Sequence, residues 1–184
     1  DNTLEVTGAF NVQAVGNATT GARIEGQLEL GANSHTFNIT DGGADNDLIV
    51  TAGISGTASV TKTGGGTLQY ADPAAPQEGR ITNIGNTLVN EGVLELNKSS
   101  GLQILGDLTV GDTAGGTGAD VVRLGALATN NGTIRGSSVV TINSAGLLDL
   151  NNKAETLNTL SMQLGGGSSA VLLTGNTGTL TLPN

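Results

Sequence analysis

The chain has 184 residues, enough for one domain, and a formal charge of −9 although only 12% of its residues are charged. It is 36% hydrophobic but 2% aromatic and contains no Cys, which excludes disulfide staples and thiolate metal sites. The seven basic residues are spread from Arg23 to Lys153 and form no patch for a nucleic-acid backbone. Low charge with this apolar content argues against disorder, and no apolar run approaches the roughly 18 residues of a membrane helix. The 30 glycines against 3 prolines point to many tight turns between short strands. A start at Asp1 rather than Met reads as a processed or excised segment.

Apolar residues two apart dominate from the start, in Leu4-Glu5-Val6, then Phe10, Val12 and Ala14, then Ile24, Leu28 and Leu30. His35 to Ile39 reads as a strand, Asp41 to Asp47 as a polar loop, and Leu48 to Val50 and Ala58 to Lys62 as strands. Asp72 to Gly79 holds two of the three prolines and reads as an excursion. Strands are expected again at 81–84, 87–89, 93–96, 102–104 and 108–110, followed by a loose loop over 111–119. Expected strands at 121–124, 133–135, 139–142, 147–150, 157–164, 170–173 and 180–182 complete the series. The weak helical candidate at Lys153 to Met162 is rich in Thr and Asn and reads as strand and turn.

One phrase recurs, a glycine corner feeding a short alternating strand. It appears at Gly26-Gln27-Leu28-Glu29-Leu30, Gly66-Thr67-Leu68, Gly92-Val93-Leu94-Glu95-Leu96, Gly106-Asp107-Leu108-Thr109-Val110, Gly146-Leu147-Leu148-Asp149-Leu150 and Gly178-Thr179-Leu180-Thr181-Leu182. Glycine always precedes the strand, hairpin signatures are scarce, and the apolar residues are small and interchangeable. These features favour a parallel solenoid over an antiparallel sandwich or barrel. The expected fold is all-β, a right-handed parallel β-helix (β-solenoid) of about eight coils at about 20–25 residues each. At about 4.8 Å between strands that is a rod roughly 40 Å long, a single domain over residues 1–184. Its corners need left-handed backbone, which suits Asn90/Gly92, Asn130/Gly132, Asn143/Gly146 and Asn176/Gly178, and stacked asparagines are expected to form a ladder.

Residues 60–70, Val-Thr-Lys-Thr-Gly-Gly-Gly-Thr-Leu-Gln-Tyr, with 86–96, Asn-Thr-Leu-Val-Asn-Glu-Gly-Val-Leu-Glu-Leu, resemble the autotransporter-associated β-strand repeat of large bacterial surface proteins. The repeat core spans about 60–97, and the stretches 106–124 and 141–151 look like sequence that follows it. The chain departs from the repeat at Ala71 to Gly85, within which the loop excursion (about 72–80) lies. The resemblance implies a right-handed parallel β-helix on a secreted or surface-displayed bacterial protein.

Chemistry is hard to find. Glycoside hydrolysis needs two carboxylates facing one groove, but Glu5, Glu29, Glu95 and Asp149 alternate with apolar residues and read as outward, with no aromatic platform for sugars. Asp41, Asp45 and Asp47 in a glycine loop are the best Ca²⁺ candidate, weighed against a solvated turn, while Asp112 to Asp120 is a weaker one. His35 lacks triad partners and reads as a strand-surface residue, and Gly64-Gly65-Gly66 is no phosphate loop. Asn17, Asn38, Asn97 and Asn131 match a glycosylation pattern that arises by chance in such a chain.

No catalytic, cofactor-binding or metal residue is assigned, and no enzyme activity is expected. The expectation is an extracellular structural rod whose uncapped ends, Asp1 to Val6 and Thr179 to Asn184, stack on copies of itself or on neighbouring solenoid modules. The alternative is an adhesin that contacts a cell-surface receptor or glycan through the excursion. A polysaccharide lyase or hydrolase is the remote third.

Overall fold

The computed structural model describes residues 3–8, 10–13, 19–74 and 79–183, and all regular structure among them is β. Strands arrive in layers. The first is β1 (Thr3–Glu5), β2 (Phe10–Val12) and β3 (Ala22–Ile24). The second is β4 (Gln27–Glu29), β5 (His35–Ile39) and β6 (Leu48–Val50), and the third is β7 (Gly53–Ser55), β8 (Val60–Thr63) and β9 (Thr67–Ala71). The next three layers have two strands each: β10 (Thr87–Val89) and β11 (Gly92–Asn97), β12 (Leu108–Val110) and β13 (Asp120–Leu124), β14 (Val139–Ile142) and β15 (Gly146–Asp149). The seventh is β16 (Ala154–Thr156), β17 (Thr159–Met162) and β18 (Val171–Leu173), and β19 (Thr179–Thr181) follows it. The expected strand at Ala14 falls outside the described residues.

Each strand pairs with its counterpart one coil away, and every strand pairing is parallel. Two seven-stranded sheets result, β2-β5-β8-β10-β12-β14-β17 and β3-β6-β9-β11-β13-β15-β18. The third side is thinner. It begins as β1-β4-β7, continues through single bridges Ile54–Ile81 and Ile104–Ile134, and ends as β16-β19. The expected strands at 81–84, 102–104 and 133–135 therefore shrink to bridges. The chain is a parallel β-solenoid.

Seven strands per long sheet amount to about six turns, fewer than the eight expected. Step length is the reason: Leu48 pairs with Leu68, 20 residues on, but Leu108 pairs with Val140, 32 residues on. Loops such as 111–119 consume residues without adding layers. At about 4.8 Å per layer the seven layers make a rod of roughly 34 Å, not 40 Å.

Period two puts alternate residues inside, where they stack in columns. One column runs Leu48, Leu68, Leu94, Val122 and Leu148, each at most 1% exposed. A second runs Phe37, Lys62, Val89, Val110 and Ile142. Aliphatic side chains of similar volume fit such columns because each meets a near-copy of itself one layer away. The outward residues of the second long sheet form their own ladder. Gln69 Nε2 donates to Glu95 Oε1 (2.8 Å), and the Arg123 guanidinium bonds Glu95 Oε2 from the next coil.

Corner glycines serve two purposes. Gly92 has φ +70°, and a Cβ there would lie 2.6 Å from the carbonyl oxygens of both Gly64 and Gly66. Gly92→Ala combines left-handed strain with a backbone clash, so it is expected to cost about 1–3 kcal/mol, read as a lower urea midpoint. An unchanged midpoint would show that the corner simply relaxes. Gly146 is different. It has no positive φ but packs against the Val110 carbonyl, so it is required for close approach.

The other expected corners are displaced: Asn131 (φ 54°) and Gly175 (φ 79°) take the left-handed positions instead of Gly132 and Gly178. Among the described residues the asparagine side chains do not form a ladder with one another. Asn143 Nδ2 donates to Gly111 O (2.5 Å), Asn151 Nδ2 to Leu124 O (2.9 Å), and Asn97 Oδ1 accepts from Leu127 N (2.8 Å). They tie a side chain to the backbone of the adjacent coil, because corner backbone leaves the sheet ladder and needs partners.

Candidate functional site

Polar side chains gather at one corner of the solenoid, between β8 and β9 and their counterparts in later coils. Lys62 is at its centre and is fully buried. Its Nζ donates to Thr63 O (3.1 Å), Gly64 O (2.6 Å) and Glu91 O (2.9 Å), using all three ammonium donors on corner carbonyls. Burial lowers its pKa to about 8 against the opposing pull of Glu91, Asp47 and Asp120. One ammonium thus faces several carboxylates.

The loop 41–47 is part of the same corner. Asp47 is buried, its Oδ1 accepting from Gly42 N (2.8 Å) and its Oδ2 from Thr67 N (2.8 Å), while Asp41 and Asp45 face solvent. Asp47 is therefore a backbone staple between two coils, and its oxygens are committed. Among the described residues no three His, Cys, Asp or Glu side chains close into a group that could hold a metal.

The Asp112–Asp120 stretch lies further along this corner and shapes a pocket of about 300 Å³ with Gly65, Asn90, Glu91 and Gly92. Asp120 is 2% exposed, and its Oδ2 has no hydrogen-bond partner among the described residues. Burial and the nearby Asp112 and Glu91 carboxylates raise its pKa to about 6 against the Asp112 amide and Lys62. A second buried acid, Glu155, is on the third side. Its Oε1 accepts from Thr133 N (3.1 Å), its Oε2 has no partner among the described residues, and burial raises its pKa to about 7 against the pull of hydrogen bonds from Thr133 and Ile134.

A larger groove of about 720 Å³ opens beside the excursion, lined by Asp72, Arg80, Lys98, Ser99 and Ser100 over an apolar floor of Ile81, Leu102 and Leu105. Lys98 Nζ donates to Ala71 O (2.6 Å), and burial lowers its pKa to about 8 against the attraction of Asp72. Asp72 in turn accepts from Ser99 N. Residues 75–78 of the excursion fall outside the described residues.

His35 is not at the surface. It is 2% exposed, and its ring nitrogens meet Gly8 O (3.0 Å) and Leu30 O (2.7 Å). As the first residue of β5 it occupies an inward position opposite Val60, where an imidazole can bond carbonyls that the corner leaves free. The outward carboxylates are as expected: Glu5 and Glu29 are register partners on β1 and β4, and Glu95 and Asp149 are separated by Arg123. Glu29 accepts from Ser55 Oγ (2.5 Å) and Gly31 N (3.0 Å), and these bonds lower its pKa, the reverse of what a general acid requires. Of the asparagines in glycosylation patterns, Asn17 lies outside the described residues, Asn97 is engaged by Leu127 N, and Asn38 and Asn131 are exposed.

Lys62 was findable from sequence, because strict alternation from Val60 places it inside. Its charge argued the other way. Asp120 carried the same signal, in phase with inward Val122 and Leu124, as did Glu155 in phase with Leu157, and their charges likewise argued the other way.

No family model matches the chain, and no curated protein or solved structure matches it at a significant level. The likeness to the autotransporter-associated repeat rests on its own residues, 60–97.

Proposed function

We propose that this chain is a non-enzymatic structural segment of a secreted or surface-displayed bacterial protein, and that its solenoid stacks end to end on copies of itself or on neighbouring solenoid modules. The observation that carries this is the pair of sheet ends that no strand among the described residues covers. At one, β17, β18 and β19 are the last strands of their sheets, and Met162, Leu164, Leu173 and Leu182 are exposed nearby. At the other, β1, β2 and β3 are the first strands, with Leu4 exposed on β1. Because every strand pairing is parallel, the last layer offers the polarity that a first layer needs, so strand addition continues the ladder unchanged. The acidic, Thr- and Asn-rich surface and the repeat-like residues 60–97 support the extracellular part of the reading.

Electron microscopy of the purified chain at rising concentration tests it. Seven layers per copy set an expected axial repeat of about 34 Å. Leu172→Lys puts a charge at the half-buried end of the column that runs from Leu48 through Leu148, and is expected to abolish fibres. Strictly monomeric short rods at high concentration would sink the stacking reading. The groove of about 720 Å³ supports the second one, an adhesin that takes a cell-surface glycan beside the excursion, and glycan binding by such rods would establish it.

A further inference from the structure

We propose that the corner pocket shaped by Glu91, Asp112 and Asp120 binds a calcium ion. The sign of the charge follows from the groups that face it. Asp47, Glu91 and Asp120 act on a single ammonium, Lys62, which already spends its three donors on backbone carbonyls, and Asp112 adds its charge beside Asp120, while Glu91 Oε2 accepts from Gly64 N. The corner keeps a surplus of negative charge, so an anion is excluded.

The second observation is Asp120 itself. It is 2% exposed, lines the pocket and leaves Oδ2 without a partner, and a buried carboxylate oxygen left unpaired is costly. A cation supplied from solvent removes that cost.

Calcium fits better than magnesium. No three carboxylates close on one point, so carboxylate ligation is completed by backbone carbonyls and water. Ca²⁺ accepts such mixed sets of about 6–8 oxygens in irregular geometry, whereas Mg²⁺ demands a near-ideal octahedron. The 111–118 loop is glycine-rich and left-handed at Gly111, Thr113, Gly115 and Gly118, and its carbonyls lie outside the strands, with Gly111 O and Gly116 O accepting from Asn143 Nδ2 and Ala119 N. The loop 41–47 offers no equivalent, because Asp47 is consumed by Gly42 N and Thr67 N.

The test uses the purified chain, stripped with EDTA and unfolded by heat at pH 7.5 with and without millimolar CaCl₂, with NaCl at matched ionic strength as control. Calcium is expected to raise the midpoint by about 3 °C, and equilibrium dialysis to find one ion per chain. Asp112→Asn, an exposed change that leaves the core intact, and Asp120→Asn should each lose the rise, while Asp45→Asn keeps it. Without calcium, Asp120→Asn should be at least as stable as the wild type. No rise in the wild type, an equal rise with NaCl, or a full rise in Asp112→Asn would overturn the site.

Discussion

Lys62→Met is expected to lower stability at pH 7 by about 3 kcal/mol, one of the largest losses of any surface-neutral change in this solenoid. Methionine matches the length of the lysine stem and fits the aliphatic column of Phe37, Val89, Val110 and Ile142, so packing is kept. The loss comes from Thr63 O, Gly64 O and Glu91 O, three corner carbonyls that would be left without their donor. Gly64 is at φ +74°, so the corner cannot easily turn its carbonyl toward a strand partner instead.

The pH dependence has a definite sign. Burial depresses the Lys62 pKa from 10.5 to about 8, so the titration-linked part of its contribution is fullest above pH 10.5 and is lost as pH falls through about 8, leaving at pH 7 the part that its hydrogen bonds to the corner carbonyls supply. The deficit of Lys62→Met should therefore widen between pH 8 and pH 10.5, by up to roughly 3 kcal/mol. Denaturant unfolding at pH 7 and pH 10 measures both effects. A methionine variant as stable as the wild type at pH 7 would mean that the three carbonyls find other donors.

Glu155→Gln is expected to act in the opposite direction and to stabilise the protein at pH 8. Glu155 is 1% exposed, with Oε2 unpaired among the described residues, and its pKa is raised to about 7 by burial. A raised carboxyl pKa means that the folded state prefers the proton. The wild type has its full stability below pH 4.5 and loses it as pH rises through about 7. Glutamine keeps the acceptor for Thr133 N and carries no charge. The variant should match the wild type near pH 4.5 and exceed it by roughly 3 kcal/mol at pH 8. Thermal unfolding across pH 4 to 8 reads this directly, and a difference that stays constant with pH would show that Glu155 is not the group responsible. Asp120 titrates in part of the same window, but it is common to both proteins and cancels in the comparison.

These two residues and Asp120 share one cause. A three-sided solenoid has corners where backbone leaves the sheets, and orphaned amides and carbonyls must be met by side chains. Lys62, Asp47, His35 and Lys98 answer that demand, each bonding backbone from a buried or nearly buried position. Polar residues inside this chain are thus chiefly the corner's partners. Asp120 and Glu155 are the buried carboxylates among the described residues with one oxygen left unanswered, alongside the neutral Asn83 Oδ1 and Ser138 Oγ.

Local pattern alone determined the class of fold. Period-two alternation behind recurring glycines makes half-buried strands, and glycine placed always before the strand makes them parallel, because both signals depend only on neighbours in sequence. The inward leucines 28, 68, 94, 148 and 180 were legible for the same reason. The number of coils was not, since loop lengths between paired strands vary from coil to coil and only the register counts them. The third side was over-read as full strands at Ile81, Ile104 and Ile134, where short apolar pairs touch their neighbours at single bridges. Alternation alone puts Lys62, His35 and Asp120 in phase with inward neighbours, but that polar and charged groups stay buried there was decided by the tertiary structure. Whether a charged or polar side chain goes inside depends on which carbonyls and amides the next coil, some 20 to 32 residues away, leaves without a partner.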